Sequence, residues 1–226
     1  IMAGGLGKRL LPHTSGCPKP MLQIGGKPIL EIILLECIAN GLKEFYISVN
    51  YLKEKIIDYF GDGSKWGVKI NYLIEPKKLG TAGSLKLLPQ NLSRPFLVLN
   101  GDVLTRLNFK NLLKFHENYK NVATICVKKH EITVPFGVID CEGTELKAIE
   151  EKPSYEFLIN AGVYVIDPSL LALIPENTYV DMPTFLQDSI NINNKISVCP
   201  IFEYWIDIGR PETLEEANIS WENNKL

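Results

Sequence analysis

The chain reads as an α/β protein, a Rossmann-like, mostly parallel twisted sheet flanked by helices, followed by a small β-rich lobe. Three observations predict this. Through the first half, runs rich in Val, Ile and Phe alternate with segments of helical period, the pattern of βαβ units. Two of these runs feed directly into glycine-rich turns, and in open α/β sheets ligands collect at the carboxyl ends of strands. Beyond Ala123 the pattern changes to short strands and turns. We expect a single domain over residues 1–226, with halves meeting near residues 122 and 123.

A chain of 226 residues can bury one substantial core, and its 46% hydrophobic content is ordinary for a soluble protein. The net charge of −2, without any basic stripe, argues against nucleic acid as the main partner, so any anion must be held by local charge. Five cysteines, at 17, 37, 126, 141 and 199, are odd in number and widely spaced with no Cys-x-x-Cys pair, which reads as reduced thiols in a cytoplasm. No apolar run reaches the length of a membrane span, and no basic segment precedes a signal-like core. Because it begins at Ile1 within a strand stub, we expect further residues upstream, up to a whole domain.

The opening stretch organises the rest. Ile1-Met2-Ala3 is the stub of a buried strand, and Gly4, Gly5 and Gly7 follow it, so backbone N–H groups can turn inward with no Cβ in the way. Such a loop can wrap a phosphate chain. Arg9 and Lys19 add fixed positive charge beside it, as a triphosphate needs when pyrophosphate leaves. A Walker loop would need four residues between its glycines and then Lys-Ser or Lys-Thr, and the dinucleotide fingerprint would need Gly where Leu10 stands. On the glycines alone an ordinary turn is an equal reading, but with Arg9, Pro12 and Pro18-Lys19-Pro20 the pattern is far more specific.

That stretch resembles the signature of the sugar-1-phosphate nucleotidyltransferases, which make NDP-sugars from an NTP and a sugar 1-phosphate. The resemblance continues nearly to the C-terminus. It implies a fold of the nucleotide-diphospho-sugar transferase type, Ala3, Gly4, Gly5 and Gly7 against the nucleotide, and Arg9 and Lys19 in catalysis. It also implies that residues 1–122 form the nucleotide-binding half and residues 123–226 the sugar-phosphate half.

Along the chain, apolar residues at 29, 32, 33, 35 and 38 mark a buried helix from Pro28 to Asn40, stopped by Gly41. Glu44 to Val49 is a strand, Leu52 to Phe60 a helix ended at Gly61, and Lys69 to Ile74 a strand that delivers Glu75. Leu79-Gly80-Thr81-Ala82-Gly83 then opens a helix to Leu88, and the family carries a similar run. By resemblance Gly80, Thr81 and Gly83 line the nucleoside pocket, with Glu75 near the base. A carboxylate there can accept from guanine N1–H and N2–H₂, where uracil offers one such donor, and this favours GTP. A solvated Glu at a strand end is the plain alternative.

Phe96 to Asn100 is an apolar strand ending in Gly101-Asp102, as often a turn as a metal site. In the family this Asp holds the catalytic Mg²⁺, with the Gly beside the nucleotide. Asn108 should cap a helix to Glu117 in which His116 has a packing or surface role. Strands are then expected at Ala123 to Val127, around Gly137, at Leu146 to Glu150 and at Leu158 to Val165. Glu151-Lys152-Pro153, read alone, is a surface ion pair of little consequence. The family has a similar Glu-Lys-Pro in which Glu contacts sugar hydroxyls and Lys the sugar phosphate. Asn160 and Gly162 resemble the family's Asn-x-Gly strand on the sugar side, and Gly137 the glycine beside the ring.

Helices are expected at Pro168 to Ile174 and Pro183 to Ile190, a strand at Ile196 to Cys199, and a last helix at Glu212 to Asn223. Trp205-Ile206-Asp207-Ile208-Gly209-Arg210-Pro211 resembles the family's Trp-x-Asp-x-Gly-Thr-Pro, implying Asp207 as second Mg²⁺ ligand beside Asp102. Arg210 in place of Thr adds charge near the site. No hexapeptide repeat follows, so the β-helix of some relatives is not expected in this sequence.

The reaction implied is in-line attack by the sugar-phosphate oxygen on the α-phosphorus, forming a GDP-sugar for glycan or glycoconjugate synthesis; mannose, glucosamine and heptose phosphates are the candidate acceptors. The attacking group is already an anion, which fits the absence of a His, Ser or Cys nucleophilic constellation. Uridylyl or cytidylyl transfer on the same machinery and a non-catalytic nucleotide-sugar sensor are the alternatives, and homo-oligomerisation is left open.

Overall fold

The computed structural model describes residues 1–223. Residues 1–3 run through the middle of the sheet: Met2 forms parallel bridges to Ser48 and to Asn100, and the N–H groups of Met2 and Ala3 donate to Leu99 O and Ser48 O at 2.9 Å. The chain then makes a small ribbon, β1 (Gln23–Ile24) with β2 (Lys27–Pro28), and enters α1 (Ile29–Ala39). This helix buries Ile29, Leu30, Ile33, Leu34 and Cys37, not the stripe expected at 29, 32, 33, 35 and 38. Its residues are apolar nearly all round, so periodicity cannot single out the face that tertiary packing chooses.

β3 (Glu44–Val49), α2 (Lys53–Phe60) and β4 (Lys69–Ile74) form a parallel unit, registered from Glu44↔Lys69 to Val49↔Ile74. The helix expected to reach Leu88 is a single turn, α3 (Gly80–Gly83), continued by a 3₁₀ turn at Ser84–Leu87. β5 (Phe96–Leu99) and the short β6 (Val103–Thr105) flank Asp102. Asn108 caps α4 (Phe109–Tyr119), its Oδ1 accepting from the Asn111 N–H at 3.0 Å.

The second half supplies β7 (Ala123–Thr133), the hairpin of β8 (Gly137–Glu142) and β9 (Glu145–Glu151), and β10 (Ser154–Ile166). A 3₁₀ turn at Pro168–Leu173, α5 (Met182–Asn191), β11 (Ile196–Pro200), β12 (Trp205–Asp207) and α6 (Pro211–Glu222) complete it. Joined through residues 1–3, the sheet order is β4, β3, residues 1–3, β5, β10, β7, β11; only β10 runs against its neighbours. The expected mostly parallel sheet is therefore present. It runs without a break across the boundary at residue 122, because β10 of the second half pairs with β5 of the first.

Two cores lie on its faces. Leu99, Val163 and Val165 point to the side covered by α1, α2 and α4, while Val98, Tyr164 and Ile166 point to the side covered by α3 and α5, the alternation that a strand dictates. His116, 3% exposed, has its Nδ1 2.9 Å from Thr124 Oγ1, and burial lowers its pKa. A base depressed in the folded state takes up its proton more readily when unfolded, so its stability contribution is complete above the unfolded pKa and is lost as pH falls through it. Thermal unfolding followed by circular dichroism from pH 7.5 to 5.5 is expected to show this loss, and the slope should be smaller in His116→Asn.

Candidate active site

The glycine loop emerges where residues 1–3 leave the sheet, and it forms one wall of a cavity of about 550 Å³. Gly4, Gly5, Gly7 and Arg9 line that wall, with Lys19, Asp102 and Gly209 beyond them and Glu75, Gly80 and Thr81 on the other side. Two of the loop glycines are required by space. A Cβ on Gly4 would stand 2.3 Å from Glu75 Oε1, and one on Gly7, at φ +62°, would stand 2.8 Å from Thr14 Cγ2.

The two expected metal ligands meet. Asp207 pairs with Val103 in the antiparallel β12–β6 ladder, and the Ile208 N–H donates to Asp102 O at 2.9 Å, so the two aspartates are neighbours across 105 positions of sequence. Lys19, 9% exposed, forms an ion pair with Asp102. Burial and, next, the Asp102 carboxylate raise the Asp207 pKa, against the opposing influence of Lys19 and Arg9. Among the described residues no cluster of three or more His, Cys, Asp or Glu forms a metal cage. Two adjacent carboxylates do suit Mg²⁺, which commonly takes one or two protein carboxylates and completes its shell with water and phosphate oxygens.

Glu75 is 8% exposed, not a solvated strand end. Its Oε1 accepts from Ser48 Oγ and its Oε2 from the Leu79 N–H at 2.9 Å, so the carboxylate also pins the following turn. That turn is docked on a segment of the second half: Val180 N–H donates to Leu79 O, Ala82 and Gly83 N–H donate to Val180 O, and Met182 N–H donates to Thr81 Oγ1, all within 2.8–3.0 Å.

Three expected nucleotide contacts stand behind the wall. Ala3 is buried in the sheet; a Cβ on Gly83 would meet Thr178 O at 2.5 Å, and one on Gly101 would meet Met2 O at 2.5 Å. These glycines serve backbone-to-backbone packing. Arg210 precedes α6, exposed and off the cavity wall, with its N–H donating to Thr213 Oγ1.

The expected sugar-side residues form two groups outside this cavity. Gly137 and Glu151 are registered partners in the exposed β8–β9 hairpin, and Lys152 follows them at φ +49° with its N–H on Phe136 O. Asn160 and Gly162 occupy a bulge of β10, where Asn160 Oδ1 accepts the Gly162 N–H at 2.9 Å and Gly162 O accepts the Asn100 N–H at 2.9 Å. Sequence reasoning missed Asn100, Lys78, Tyr179 and Asp181, all on the cavity wall. Among the described residues Asn100 Oδ1 is buried without a partner. A polar residue at the end of the β5 strand was the available signal for Asn100; the other three lie in turns that carry none.

A model of the family described as nucleotidyl transferase matches residues 1–224. The chain belongs to this family. It is 36% identical over 222 residues to a mannose-1-phosphate guanyltransferase of Yarrowia lipolytica, covering 94% of this chain and 60% of that protein. It is likewise 36% identical over 229 residues to the bifunctional protein GlmU of Methanococcus maripaludis, covering 96% of this chain and 53% of that protein. The chain therefore spans little more than half the length of these curated relatives. HddC from Yersinia pseudotuberculosis, solved in complex with GMP-PN, matches with a TM-score of 0.76 at 26% identity, over 98% of this chain and 97% of that one. The family match thus runs far beyond the opening stretch, to residue 224. No helix among the described residues is long and apolar enough to cross a membrane.

Proposed function

We propose that this nucleotidyl transferase is a sugar-1-phosphate guanylyltransferase, converting GTP and a sugar 1-phosphate to a GDP-sugar and pyrophosphate in the cytoplasm. The observation that carries the reading is the cavity that brings Asp102, Lys19, Arg9 and the glycine loop together, with Asp207 adjoining Asp102. The guanine preference is supported by the names of the relatives and by Glu75 on the wall, whose oxygens keep lone pairs beyond those taken by Ser48 and Leu79.

The chemistry asks the protein to bring two polyanions together. Backbone N–H groups of the loop cradle the triphosphate, while Arg9 and Lys19 oppose the charge that develops as pyrophosphate leaves. The attacking phosphate oxygen is already ionised at neutral pH, so no side chain has to remove a proton. Asp102 and Asp207 would hold Mg²⁺, which when bound neutralises phosphate charge and orients the triphosphate. Lys152, at the base of the β8–β9 hairpin, is assigned to the acceptor's phosphate, with Glu151, Gly137, Asn160 and Gly162 around its hydroxyls.

Incubation with each of GTP, ATP, UTP and CTP, Mg²⁺ and a panel of mannose, glucosamine and heptose 1-phosphates tests this. Pyrophosphate release dependent on both GTP and one acceptor is the expected result. Release with UTP or CTP in its place would overturn the guanylyl assignment, and tight nucleotide binding with no release from any pair would favour a sensor.

A further inference from the structure

Asp181 immediately precedes α5, the position where an aspartate ordinarily accepts from the first free N–H groups of the helix. Asn108 before α4 and Asp167 before the Pro168–Leu173 turn both do so. Asp181 makes no capping bond: Pro183, at the second helical position, has no N–H to give, and the Met182 N–H donates to Thr81 Oγ1 at 2.8 Å. The side chain is turned to the cavity wall, where it stands against Gly80; a Cβ on that glycine would be 3.1 Å from Asp181 Oδ1.

The carboxylate therefore faces the cavity and not the helix end. Its one protein partner is Tyr179, whose hydroxyl lies 2.9 and 2.8 Å from the two oxygens. Lys78 Nζ lies 5.1 Å from the centre of the Tyr179 ring, so Lys78, Tyr179 and Asp181 stand together along that side of the cavity. Among the described residues the Asp181 oxygens accept no other protein donor, and they keep most of their lone pairs. Glu75, across Leu79 and Gly80, has one partner on each oxygen.

We infer that Asp181 is a specificity-determining residue that accepts the exocyclic amine of guanine, with Glu75 serving the ring N1–H beside it. The inference rests on the guanylyl reading above. Two carboxylates in a row match the consecutive donors of the guanine edge; they meet the bare N1 lone pair of adenine with repulsion, and uracil fills only one of them. Tyr179 is a positioning residue that orients the acceptor from outside.

Hypoxanthine is guanine without the amine, so the test compares GTP with ITP. Calorimetry of each nucleotide with the wild-type chain in Mg²⁺, without acceptor, is expected to show GTP bound roughly 10- to 100-fold more tightly, the worth of a hydrogen bond to a charged acceptor. In Asp181→Asn the ratio should fall to within about 3-fold, through weaker GTP binding and unchanged ITP binding. Tyr179→Phe keeps the carboxylate and should narrow the ratio only part of the way, at an unchanged melting temperature. An undiminished ratio in Asp181→Asn, or equal binding of GTP and ITP by the wild type, would overturn the inference. Either result alongside GTP-dependent pyrophosphate release would leave the transferase reading standing; absence of release from every nucleotide would strike that reading instead.

Discussion

Replacing Asp102 by Asn is expected to lower kcat by on the order of 10³-fold, the scale on which a single charge-stabilising group acts in such a site. The substitution keeps the volume and one acceptor of the side chain, so the cavity keeps its shape. What it removes is one of the two negative charges opposite the glycine loop, and with it the counter-ion of a nearly buried Lys19. Two effects on stability oppose each other. Lys19 loses its partner, while Asp207, whose pKa is raised in part by the Asp102 carboxylate, is relieved of a like charge. The melting temperature should therefore shift by only a few degrees while turnover collapses. Steady-state pyrophosphate release paired with calorimetric melting checks both, and retention of a tenth of wild-type turnover would contradict the role given to Asp102.

Gly80→Ala is the complementary experiment, expected to act through backbone geometry and not through charge. Gly80 sits at φ +80°, where a residue with a Cβ is strained by roughly 1–2 kcal/mol. The added methyl would also stand 2.4 Å from Val180 O, the carbonyl that receives the Ala82 and Gly83 N–H groups. Nothing flexible can yield there, because the obstacle is main chain. A destabilisation of about 3 kcal/mol or more is expected, equivalent to roughly 6–12 °C in melting temperature for a domain of this size. Nucleotide affinity should fall with it, since Gly80, Thr81 and Asp181 share the wall. An alanine variant that melts within 2 °C of wild type would show that the docked turn is not rigid.

Much of the first half was legible because its strands concentrate aromatic and aliphatic residues between helical segments that end at glycine; β3 and β4 were read to the residue. In the second half the exposed β8–β9 hairpin was placed, but the outer pairing of β7 with β10 was not. β7 was expected to stop at Val127 and β10 to begin at Leu158, yet the two pair out to Thr133 and Ser154. That outer ribbon is exposed, and Lys128-Lys129-His130-Glu131 gives no alternation that would mark a strand. In the site, the geometry of charge was legible and the geometry of space was not. Arg9, Lys19 and Asp102, picked out by the motifs, stand on one cavity wall, and Asp207 adjoins Asp102. Sequence alone does not separate a glycine that lines the cavity, such as Gly4 or Gly5, from one that admits another stretch of backbone, such as Gly83 or Gly101.

Most of the bonds docking residues 79–83 on residues 178–182 are made between main-chain groups, so the identities of Tyr179 and Asp181 are free to change while the docking persists. The charges assigned to the phosphates in the proposed reaction lie on other segments, at 9, 19, 102 and 207. On that assignment, a change at Tyr179 or Asp181 would alter the fit to a nucleobase and leave those charges in place. Base preference would then be a detachable trait, separable from the capacity to join a nucleotide to a sugar.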